Sequence, residues 1–140
     1  MMTKSYARGW QSVIHLTTGN YVDGYGDRIP AVYIKDNNML EITSAVNGEG
    51  NYVYNGNPPP VNIWMKISIR QKQTNAKYMY EIWIDDTLVK SVENKKPSDF
   101  KNVKVYAANP FPSLHGMIRK LTINNKPLCD NVMKGLIKHL

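Results

Sequence analysis

Ile63–Val92, IWMKISIRQKQTNAKYMYEIWIDDTLVKSV, decides the fold of this chain. Apolar residues recur at every second position, Ile63, Met65, Ile67, Ile69 and then Tyr78, Tyr80, Ile82, Ile84, the period of strands with one buried and one wet face. The stretch Lys72–Ala76 reads as the break between them. The same alternation sends Trp64, Lys66, Ser68 and Arg70 to the opposite face of the first strand, and Met79, Glu81, Trp83 and Asp85 to that of the second. Asp85-Asp86-Thr87 suits a tight turn, so Leu88–Glu93 is expected to return antiparallel and complete a three-strand meander.

Before the meander, Met1–Ser5 reads as a flexible end and Tyr6–Thr18 as a strand, followed by loop chemistry over Gly19–Arg28 (GNYVDGYGDR). Pro30–Lys35 and Met39–Val46 resume extended structure on either side of an Asp36–Asn38 turn. Asn47-Gly48 is the strongest hairpin signal in the chain and leads into Asn51–Tyr54. Three successive prolines, Pro58–Pro60, remove three ladder donors, so Asn55–Pro60 must be a loop. After the meander, Asn94–Asn102 is a polar connection seated by Phe100, Val103–Ala107 a short strand, Asn109–Gly116 a loop and Met117–Ile123 the last strand. Leu128, Val132, Met133, Leu136, Ile137 and Leu140 fall at helical spacing, which predicts a short amphipathic helix over 128–140. So short a helix must dock on its own domain, which is the default, on another copy, which makes it an oligomerisation device, or on a removed neighbour.

Many short strands broken by Gly, Pro and Asn, with no βαβ unit, predict one all-β domain over 6–127: an antiparallel two-sheet sandwich. The 140 residues, 42% of them apolar, suffice for a single core. No apolar run is long enough to cross a bilayer as a helix, and the segment MMTKSYARGW lacks the apolar core of a signal peptide, which leaves a cytosolic protein or a trimmed chain. The single cysteine, Cys129, allows no internal disulfide and no Cys-based metal cluster. The surplus of +7 is uneven: residues 1–65 hold four Lys/Arg against five Asp/Glu, and residues 66–140 fourteen against six. Such a basic half is a solvated surface or a face for an anionic partner. Nucleic acid is disfavoured, because no recognition motif accompanies the charge.

The run NIWMKISIRQ, YEIWIDDTLVKSV, VKVYA and GMIRKLTI resembles the second half of concanavalin A-like jelly rolls, the superfamily of laminin G-like, pentraxin and galectin domains. The likeness spans most of residues 6–123. It implies a jelly-roll sandwich, an extracellular setting, and a non-catalytic, lectin-like module that binds a carbohydrate or glycoprotein without an obligatory cofactor. The galactoside signature of galectins is missing, since His15 is followed by Leu-Thr-Thr. The paired carboxylates of the superfamily's glycanases are missing too: Glu81 and Asp85 share a face but stand roughly 13 Å apart along a strand, beyond the roughly 5–9.5 Å of glycoside hydrolysis.

Two candidate sites follow. The first is the outward row Lys66, Arg70, Glu81, Trp83, Lys104 and Tyr106, whose rings would stack on a pyranose while the charges bond its hydroxyls. The same row also reads as an ordinary sheet exterior with Trp83 under the C-terminal helix. The second is a loop cluster of Tyr21, Asp23, Tyr25, Asp27, Asn55 and Phe111, in which Asp23 and Asp27 offer hard oxygens to calcium. The rival to sugar binding is a structural or protein-interaction domain, including self-association.

Overall fold

The computed structural model describes residues 1–19 and 24–124, together with the backbone of 128–129. The described residues are all-β and contain no helix. Eleven strands follow in order: β1 (Met2–Thr3), β2 (Gln11–Thr17), β3 (Ala31–Ile34), β4 (Leu40–Val46), β5 (Glu49–Gly56), β6 (Ile67–Thr74), β7 (Lys77–Ile84), β8 (Thr87–Glu93), β9 (Lys104–Tyr106), β10 (Gly116–Met117) and β11 (Leu128–Cys129). They form a five-stranded sheet in the order β5-β4-β3-β2-β9, a four-stranded sheet β11-β6-β7-β8, and a two-stranded ribbon β1-β10. All neighbours run antiparallel except β11, which lies parallel to β6.

The two larger sheets face each other across one core. Val13, Val32, Ile34, Leu40, Ile42 and Val46 of the five-stranded sheet meet Tyr80 and Ile82 of the other, and Leu114 closes one end. Ile34, Leu40, Ile42 and Ile82 are fully buried, and each contributes about 1.5–3 kcal/mol by leaving water. The predicted meander is present as β6-β7-β8, with Ile67, Ile69 and Ile84 packed on this core.

Three two-residue turns set the hairpin registers. Asn47-Gly48, Asn75-Ala76 and Asp85-Asp86 all have positive φ at both positions, the twist that matches the flanking strands. The break expected over Lys72–Ala76 is therefore only two residues long, and β6 runs on until Thr74 pairs with Lys77.

Four other expectations are corrected. The N-terminal segment is not free: Met2 and Thr3 are buried, the strand pairs with Gly116–Met117, and the terminal ammonium donates to the Met65 carbonyl at 2.7 Å. That pairing needs a glycine, because a Cβ at Gly116 would sit 2.1 Å from the Met2 carbonyl oxygen. The first long strand starts at Gln11 rather than Tyr6, whose hydroxyl instead donates to the Pro59 carbonyl. Of the last strand expected over Met117–Ile123 only Met117 pairs, and Ile118, Leu121 and Ile123 stay exposed. Finally, Leu128–Cys129, where the helix was to begin, is extended and hydrogen-bonded to β6. Residues 130–140 of that expected helix lie outside the described residues.

Candidate binding face

The row of six outward residues does not form one face. Arg70 stands opposite Glu81, and Ser68 opposite Trp83, on the outer side of the four-stranded sheet. The Trp83 Nε1–H donates to Glu81 Oε2 at 2.9 Å, and the Arg70 guanidinium lies 5.2 Å from the centre of the indole. Arg70 thus takes a ring face on which a pyranose would stack, and the buried Glu81 carboxylate is spent on the indole N–H. Lys66 sits beside the neighbouring turn: its backbone N–H donates to Asp85 Oδ1 at 2.8 Å, and its ammonium pairs with Asp86 at 2.7 Å. Lys104 and Tyr106 belong to the other sheet, because β9 pairs with β2 and not with the meander.

The outer side of the five-stranded sheet is built differently. Register places Ser12, Tyr33, Glu41 and Asn55 in one row across β2, β3, β4 and β5. The next row is Tyr106, His15, Ala31, Thr43 and Val53. Tyr33 points away from the core because it alternates with Val32 and Ile34, which face it. Its ring packs edge-on against Trp10 and Phe111, with centroids 6.1 and 5.3 Å away, and Trp10 meets Phe111 at 5.2 Å.

Polar groups surround that aromatic bed. Arg28 Nη1 donates to Asn51 Oδ1 at 2.5 Å, and the Thr43 hydroxyl donates to the same oxygen at 2.6 Å. Lys35 spans the row, 3.7 Å from Glu41 and 3.3 Å from Asn55 Oδ1, with its ammonium 5.6 Å from the Trp10 ring centre. Two buried polar atoms here have no hydrogen-bond partner, the Tyr33 hydroxyl and Arg28 Nε. Burial pushes the Tyr33 phenol up to about 12, against the opposing pull of the Arg28 guanidinium. The guanidinium opposes that shift both as a charge and through a side-chain hydrogen-bond interaction with the phenol, yet neither the phenol oxygen nor Arg28 Nε meets full hydrogen-bond geometry with a neighbour.

The loop cluster also divides. Asn55 and Phe111 join the five-stranded outer face just described, whereas Tyr25 stacks on Phe100 at 5.5 Å and donates to the Lys96 carbonyl at 2.7 Å. Asp27 is buried, and its Oδ2 accepts the Gly24 N–H at 3.0 Å while its own backbone N–H donates to the Gly24 carbonyl, closing the Gly24–Asp27 turn from both sides. Tyr21 and Asp23 lie outside the described residues. No group of three or more His, Cys, Asp or Glu side chains that could hold a metal ion occurs among the described residues.

Trp10, Arg28, Tyr33, Lys35, Glu41 and Asn51 were not singled out as site residues from the sequence. The available signal was the alternation in PAVYIK and MLEITSAV, which already sets Tyr33 apart from Val32 and Ile34, and Glu41 from Leu40 and Ile42. No family model matches the chain, and neither does any curated protein or solved structure.

Proposed function

We propose that this protein is a non-catalytic carbohydrate-binding module of concanavalin A-like jelly-roll type, with its ligand on the outer face of the five-stranded sheet over Arg28, Tyr33, Glu41, Asn51 and Asn55. One observation carries the reading: a buried phenol and a buried guanidinium N–H, neither in full hydrogen-bond geometry, lie together under a bed of three aromatic rings. Leaving such groups poorly paired costs up to about 1–3 kcal/mol each, and a ligand that displaces the rings covering them and pairs them recovers it. A sugar hydroxyl both donates and accepts, so one hydroxyl can take the Arg28 Nε–H and engage the Tyr33 oxygen together. Glu41 and Asn55, next in the row, keep further lone pairs beside those that Lys35 takes, and offer them to neighbouring hydroxyls.

The test is a broad glycan array, with calcium and with chelator, read on the parent chain and on Tyr33→Phe, Arg28→Ala and Trp83→Ala. A hit lost in the first two and kept in the third supports the proposal. Loss only in Trp83→Ala moves the site to the meander. A blank array from folded protein overturns the sugar reading in favour of a structural or self-associating domain, to which the exposed Val61, Ile63, Met117 and Leu121 already lend support.

A further inference from the structure

We propose that the outer edge of β9 receives a strand from a partner protein, an extended peptide in which apolar and acidic residues alternate. β9 ends the five-stranded sheet, and among the described residues no strand pairs with its far edge. An edge of that kind offers a row of backbone donors and acceptors to an incoming strand. The side chains beside it are unusual for an edge. Val105 stands opposite Leu16, a buried residue on the side of the sheet that faces the core, yet Val105 is 46% exposed and Val103 is 37% exposed.

Next to these valines, between the two sheets, lies a cleft of about 660 Å³. Leu16, Ile69, Tyr78, Phe100, Val103 and Ile123 are among its walls. Tyr80 also lines it. The opening therefore has apolar surface to cover, as a peptide with apolar side chains would do.

Alternation supplies the acidic half of the proposal. A strand added to β9 sends every second side chain toward Val103, Val105 and the cleft, and the residues between toward Lys104 on the opposite face. Lys104 stands on this strand and Lys101 three residues before it, with Asp99 the nearest acid in sequence, whereas Lys95 and Lys96 lie at the Asn47-Gly48 turn on the far edge of the sheet. Carboxylates on the outward positions match that field. A second copy of this chain, at net charge +7, meets repulsion instead.

The experiment titrates the full chain with two blocked heptapeptides, Glu-Val-Glu-Ile-Glu-Val-Glu and its counterpart with lysine in place of glutamate, and follows backbone amide shifts by NMR. The expected result is a set of shifts centred on Val103–Tyr106 and Leu16 with the acidic peptide, with binding at least about tenfold tighter than for the lysine peptide. Added salt weakens it. Lys104→Glu should narrow or reverse the preference, and Val105→Asp should remove binding while the amide spectrum stays folded. Equal binding of the two peptides, or shifts confined to other strands, overturns the proposal. So does protection from exchange, in the free full chain, of the β9 amides that do not bond to β2, which would give this edge to another part of the same chain.

Discussion

His15 Nε2 lies 2.5 Å from the Asp27 carbonyl oxygen, and Nδ1 of the same ring lies 3.1 Å from the Asn109 carbonyl oxygen. Both neighbours are acceptors, and the imidazole stands between them, tying the loop before β3 to the loop after β9. The ring is fully buried. We expect His15→Leu to cost about 2–4 kcal/mol, since two buried carbonyls lose their neighbour at once. Urea denaturation measures it, and a loss within about 0.5 kcal/mol, the range of ordinary surface substitutions, would show that the clamp is dispensable.

Tyr33→Phe separates stability from binding. The substitution keeps the ring between Trp10 and Phe111 and removes a hydroxyl that the free protein leaves unpaired. Stability should stay the same or rise by up to about 1 kcal/mol, while affinity for any ligand of this face falls about tenfold or more. A destabilised variant would mean that the hydroxyl is already paired in solution.

Tyr33 and Tyr80 both ionise above the ordinary tyrosine range, in each case chiefly through burial. Their neutral forms are thus favoured by folding. The stability this gives is complete below the unfolded tyrosine value near 10, declines as pH rises past it, and for Tyr33 is gone above about 12. Ultraviolet titration of tyrosinate should show Tyr33 and Tyr80, with Tyr6 raised by burial as well, lagging behind the rest of the nine tyrosines until the fold opens. Simultaneous ionisation of all nine, with the fold intact, would contradict the burial of these two rings.

Ala76 holds φ of 62° in the β6–β7 turn, a conformation that costs an L-residue roughly 1–2 kcal/mol and glycine nothing of the kind. Ala76→Gly should therefore raise the urea midpoint, by about 1 kcal/mol in stability once the added entropy of the unfolded chain is counted. A lower midpoint would show that Ala76 does not sit in the left-handed region.

Trp83→Phe tests the group on the other sheet. Glu81 is 8% exposed and loses the indole N–H as a partner, so stability should drop by about 1–2 kcal/mol. Glycan binding should not change. An unaltered stability would indicate that Arg70 alone suffices for the carboxylate.

Hairpins were legible in the sequence because their signals are local. Asn47-Gly48 and the alternation through Ile82 and Ile84 name a turn and a face without reference to anything far away. Lys104 and Tyr106 show where that stops. Alternation correctly sets Val103 and Val105 against them, but nothing in VKVYA says that the strand will lie beside His15 and Leu16 instead of Arg70 and Trp83. Strand order depends on pairing between segments remote in sequence, and a single sequence carries no record of it. Leu128 and Cys129 met the same limit, since their backbone follows the edge of β6 where the spacing of apolar residues predicts the start of a helix. Tyr33 was visible as a strand residue, but the absence of any partner for its hydroxyl is a property of the packed molecule.

At one end the two sheets are joined by side-chain amides. The Asn47 backbone N–H donates to Asn94 Oδ1 at 3.0 Å, Asn47 Nδ2 donates to the Glu93 carbonyl at 3.0 Å, and Asn94 Nδ2 donates to Gln71 Oε1 at 2.6 Å. None of these groups titrates in the working range of a protein, and none is an ion pair for salt to screen. The layers are therefore fastened there in a way that does not depend on the charge carried outside. Lysines can be gained, lost or modified on the surface without loosening the seam, which leaves the protein's electrostatic character free to drift in evolution while its architecture is held.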